Sequence, residues 1–71
     1  MRLSHRRIVG QQIRLCRKQA HLSQEELAEK ADLSYKYVGE VERGLVNISL
    51  DSLMRLAKAL KVKAHTLIGE L

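Results

Sequence analysis

Apolar residues in this 71-residue chain recur at helical spacing almost throughout, and no stretch sustains the period-two alternation of a strand. Val9, Ile13, Cys16 and Ala20 are spaced four, three and four residues apart, which marks one face of a first helix over residues 5–20. Ser23-Gln24-Glu25-Glu26 has the form of a capping box, with acids that suit the positive end of a helix dipole. It opens a short second helix over 24–31, whose inward stripe is Leu27, Ala28 and Ala31. Asp32-Leu33-Ser34 connects it to a third helix over 35–42, capped by Ser34 and seated on Val38 and Val41. Gly44 stops that helix in the left-handed conformation. Ser49 caps a fourth, with Leu50, Leu53, Met54, Ala57 and Leu60 as its stripe, and a fifth segment over 64–70 carries Leu67, Ile68 and Leu71.

The expected fold is therefore all-α, five helices in one domain over 1–71. The aliphatic core contains no Phe or Trp, and no proline breaks a helix. The longest apolar run is two residues, whereas a membrane span needs about 18 and a secretion signal about 7–15. The chain accordingly reads as cytoplasmic, with no membrane partner. A single cysteine, Cys16, excludes an internal disulfide and a multi-cysteine zinc site, and reads as a small buried hydrophobe. His5, His21 and His65 lack ligand spacing and read as surface residues. No metal or cofactor is expected. With no nucleophile–base pair and too little volume for a walled cavity, an enzyme is rejected.

Charge points to a polyanionic partner. The formal balance is +5, and Arg2, Arg6, Arg7, Arg14, Arg17 and Lys18 all precede the first acid, Glu25. The basic N-terminal stretch is either a solvated face, or Arg2, Arg6 and Arg7 add phosphate contacts or a minor-groove arm. The three-residue connection forces the second and third helices to cross steeply, with Ala28 small enough for close approach. Leu33, Val38 and Val41 then point inward, leaving Tyr35, Lys36, Tyr37, Gly39, Glu40 and Arg43 outward. A helix about 10–12 Å across fits the roughly 12 Å major groove of DNA. Glu40 would repel phosphates, so it either accepts a bond from cytosine N4 or orients Lys36 one turn earlier; the second is favoured.

Ile13-Arg14-Leu15-Cys16-Arg17, Leu22-Ser23-Gln24-Glu25-Glu26-Leu27-Ala28 and the run from Tyr35 to Gly44 are similar to the Cro/repressor-type helix-turn-helix family. Asn47-Ile48-Ser49-Leu50 and the run from Leu53 to Leu60 extend the resemblance over residues 8–71. It implies a compact lambda-repressor-like domain with the helix-turn-helix at 24–43. The function it implies is a transcriptional regulator that binds double-stranded DNA as a homodimer on a palindromic operator. Phage repressors and restriction–modification controllers include stand-alone proteins of this size.

The resemblance assigns Gln24 to phosphate, Tyr35, Lys36 and Glu40 to base edges, and Tyr37, Arg43 and the loop at Asn47 to the flanking backbone. Ser34 joins the DNA-binding set, and Arg17 with Glu42 matches a family ion pair. Four residues depart from the pattern: Asp32 replaces a turn glycine, Ile48 a proline, Lys63 a capping residue and Cys16 a leucine. Leftover hydrophobicity places the dimer surface at Val46, Ile48, Ile68 and Leu71. RNA polymerase is a possible further partner through Glu25, Glu29 or Asp32. The alternative function is an antitoxin-type module that holds a toxin, which a co-purifying second chain would reveal.

Overall fold

The computed structural model describes residues 4–69, in which α1 (His5–Gln19), α2 (Gln24–Ala31), α3 (Tyr35–Glu42), α4 (Leu50–Leu60) and α5 (Ala64–Ile68) surround one aliphatic core. Each of the first four begins on a serine whose hydroxyl accepts an amide of the first turn. Ser23 forms the full capping box with Glu26; Ser34 and Ser49 cap α3 and α4. Ser4 caps α1 in the same way, a start signal not singled out in the sequence. Lys63 makes no side-chain cap, and α5 is short, ending at Ile68 rather than residue 70.

The ends of the first four helices share one geometry. His21, Asp32, Gly44 and Lys61 all have positive φ, between 56° and 73°. In each case the following amide (Leu22, Leu33, Leu45, Val62) donates to the carbonyl five residues back, at 2.9–3.1 Å. These are Schellman closures, which satisfy carbonyls that a helix end would otherwise leave without partners. Leu22, Leu33 and Val62 then pack against the core, so three of the four corners also supply an apolar anchor, while Leu45 is exposed. Only one of the four corners is a glycine; Asp32 takes the left-handed geometry without one.

The core is built on Ile13, Leu27, Val38, Leu56 and Leu67, all less than 2% exposed. α1 packs on α3, α4 and α5, and α2 on α3 and α4. Two stripes differ from the sequence expectation. On α1, Ala20 is exposed because the helix ends at Gln19, while Gly10 and Arg17 are buried. Gly10 is required by close approach: a Cβ there would lie 2.3 Å from the Val41 carbonyl oxygen. On α4, Leu50 (73% exposed) and Met54 (53%) are outside the core, and Leu56 is inside. Leu50 occupies the uncovered first turn; Met54 is rotated about 100° from Leu53, onto the flank.

One polar contact crosses this interior. Arg17 Nε donates to Glu42 Oε2 at 2.6 Å and Nη2 to Oε1 at 3.0 Å, a two-pronged ion pair between α1 and α3. Arg17 Nη1 donates to the Leu22 carbonyl at 2.9 Å, and Gln24 Nε2 donates to Glu42 Oε1 at 3.0 Å. The hydrogen bond from guanidinium to carboxylate raises the Arg17 pKa, burial opposes it, and the attraction to Glu42 adds to the rise. No buried side-chain nitrogen or oxygen among the described residues lacks a partner.

Three outcomes follow from these features. Lys61→Gly relieves the left-handed strain and raises stability by about 0.5–1 kcal/mol, a rise of several degrees in thermal midpoint. Arg17→Met strands a buried carboxylate and costs about 3–5 kcal/mol in urea unfolding, whereas Arg17→Met combined with Glu42→Leu recovers much of the loss. The Ser23 amide and then its hydroxyl hold the Glu26 carboxyl below its usual pKa of 4.5. The stability this adds is complete above that value and is lost as pH falls through the lowered one. The stability gap between wild type and Glu26→Gln therefore narrows in acid; a gap independent of pH would exclude a charge contribution from this cap.

Candidate nucleic-acid interface

α2 and α3 are joined by residues 32–34, and the corner is set locally by the left-handed Asp32 and the Ser34 cap, whose hydroxyl accepts Tyr37 N at 3.0 Å. α4 reinforces it from outside. Arg55 Nη1 donates to the Asp32 carbonyl at 3.2 Å and lies 3.5 Å from its exposed carboxylate. This brace was not read from the sequence, since nothing local links positions 32 and 55.

Val38, Val41 and Glu42 bury the inner face of α3. On the other side, Tyr35, Lys36 and Arg43 are exposed, Tyr35 at 56%, and Glu40 is half-buried. Gln24, Tyr35, Lys36, Gly39 and Arg43 line one shallow open groove along this face. Gly39, expected to face outward, is buried beneath the Gln24 and Arg43 side chains. A Cβ there would meet Gln24 Oε1 at 3.7 Å and Arg43 Nη1 at 3.9 Å, ordinary contact distances.

Tyr37 also differs from the expectation of two exposed aromatics. It is half-buried against the core, and its hydroxyl accepts Ser49 N at 3.4 Å, linking α3 to the start of α4. The Lys36–Glu40 pair favoured from i, i+4 spacing does not form. The ion pairs among the described residues are Arg17–Glu42 and Arg55–Asp32. Gln24, assigned to phosphate, is half-buried and has the additional task of bonding Glu42. Ser34 and Asn47 are exposed, Asn47 in the loop between α3 and α4.

Val46, Ile48 and Ile68 line one apolar cleft of about 180 Å³ with His5, Arg6 and Val9. Val46 and Ile48 do not protrude as an exposed patch; they are half-buried and packed on the core, leaving Ile68 at 36% exposure. Leu71 and Arg2 lie outside the described residues. Among the described residues no cluster of three His, Cys, Asp or Glu side chains can hold a metal, and no helix is long and apolar enough to cross a membrane.

A helix-turn-helix family model, HTH_3, matches residues 13–67. The chain is 44% identical over 62 residues to the immunity repressor protein of Bacillus phage phi105, covering 87% of this chain and 43% of that protein. It spans 41–43% of the length of the first curated relatives it matches. The crystal structure of the restriction–modification controller protein C.AhdI from Aeromonas hydrophila aligns with a TM-score of 0.86 at 42% identity. That alignment covers 87% of this chain and 94% of that one. The biofilm regulator SinR, crystallised in complex with DNA, aligns with a TM-score of 0.80 at 40% identity, covering 83% and 95% of the two chains. With its α2–α3 corner, its five-helix core and these matches, the chain belongs to the helix-turn-helix family.

Proposed function

We propose that this chain is a transcriptional regulator that lays α3 in the major groove of double-stranded DNA. The observation that carries the reading is the outer face of α3, where Tyr35, Lys36 and Arg43 stand exposed around one open groove. Its width suits the groove of B-form DNA, and its side chains offer donors and an aromatic ring to base edges and thymine methyls. Lys36 and Tyr35 read bases, and Glu40, free of Lys36, accepts from cytosine N4. Gln24 and Arg43 hold phosphates on either side, while Ser34, Tyr37 and Asn47 place the flanking backbone. The DNA-bound SinR structure and the phage immunity repressor support this reading over an antitoxin-type module that holds a toxin.

The regulator acts as a homodimer on a palindromic operator, with the two α3 helices about 34 Å apart, one turn of DNA. Its dimer surface is the apolar cleft at Val46, Ile48 and Ile68, whose burial in a second chain would remove Ile68, the most exposed of the three, from water. The apolar nature of that cleft supports the assignment.

Selection from a random pool of duplexes should return an inverted pair of half-sites at one-turn spacing; enrichment of no sequence overturns the proposal. On the selected duplex, Lys36→Ala should cost about 1–3 kcal/mol and relax preference at one position. Gln24→Ala should weaken every sequence alike. If both variants weaken all sequences equally, the assignment of Lys36 to base reading is wrong.

A further inference from the structure

We infer that the outer stripe of α1, formed by Arg7, Gln11, Arg14 and Lys18, is a second phosphate-binding surface that follows the duplex backbone beyond the bases read by α3. The inference rests on the proposed DNA-binding reading and extends it to an element on which only Arg6 and Arg7 were candidate DNA contacts. At 3.6 residues per turn these four positions fall on one side of the helix and span about 16 Å of its axis. All four are exposed. α1 contains no acidic residue, and Arg7, Arg14 and Lys18 form no ion pair among the described residues.

The stripe is continuous with the α3 face. Arg7, Gln11 and Arg14 line a groove with Glu42, Arg43 and Leu45, and Arg43 also borders the groove on the outer face of α3. Glu42 is the one acid in this groove, and both its oxygens are already taken, by Arg17 and Gln24. With Glu42 paired to Arg17, the charges left along the groove are those of Arg7, Arg14 and Arg43, which suits a polyanion rather than a mixed-charge protein surface.

Gly44 makes the junction possible. A Cβ there would lie 2.6 Å from Arg7 Cγ, so the bare backbone lets the Arg7 stem run across the end of α3. Arg6, one residue earlier, turns the other way and lines the apolar cleft with Val46 and Ile68. The basic N-terminal stretch thus divides, and only Arg7 of this pair belongs to the phosphate track.

The test compares wild type with the double variant Arg14→Gln, Lys18→Gln, which leaves the Arg7 packing intact. Binding is measured from low to high salt on two duplexes, one trimmed to the selected bases and one extended by a turn at each end. On the extended duplex the double variant should lower the slope of log K against log salt by about two per bound chain, with unchanged sequence preference. On the trimmed duplex the two proteins should bind alike. A wild-type slope for the variant on the extended duplex overturns the inference and makes the stripe a solvated face. The base-reading proposal fails separately, when wild type prefers no sequence; slopes on an arbitrary extended duplex still decide the role of α1. Circular dichroism of the variant checks that it is folded.

Discussion

The ion pair between Arg17 and Glu42 is the constraint on which the arrangement of the helices depends. Glu42 is the last residue of α3 and Arg17 lies near the end of α1, and Gln24, the first residue of α2, bonds the same carboxylate. Three helices and the Leu22 carbonyl in the loop are thereby referred to one buried point. Aliphatic packing alone is tolerant of small rotations, because it is non-directional. A two-pronged guanidinium–carboxylate contact is not, since its bonds hold only over a narrow range of angles. It fixes the azimuth of α3, and with it the direction in which Tyr35 and Lys36 project.

That contact also explains why Gln24 occupies two roles. One N–H of its amide nitrogen serves the interior, which leaves the second N–H as the donor for a phosphate, while its oxygen lies over Gly39. The side chain proposed to meet phosphate is thus held by the same carboxylate that orients the reading helix. Anchor and reader share a reference point, so their relative placement does not depend on flexible surface torsions.

The local features of the fold were legible in the sequence. Ser23, Ser34 and Ser49 were readable as caps because capping acts over three residues, and the bounds of α2 and α3 followed from them. That α2 and α3 pack on each other was readable from the length of the turn. What could not be read depends on residues distant in sequence. Gly10 looks like an ordinary helix-weakening glycine until the Val41 carbonyl is placed against it. Tyr37 looks exposed on a helical wheel until the start of α4 comes within reach of its hydroxyl. Leu50 and Met54 fit the apolar spacing of α4, and only the absence of a covering neighbour among the described residues leaves them in solvent. Lys36 and Glu40 had the right spacing for a pair but stand apart, because spacing supplies proximity and not desolvation.

The four left-handed corners have a kinetic consequence. Each reverses the chain through bonds confined to six consecutive residues, so the path from one helix to the next can be established before any distant part of the molecule arrives. The conformational search then reduces to docking preformed segments. The longest loop left to close is the one that brings α5 onto α1, at least 45 residues away in sequence.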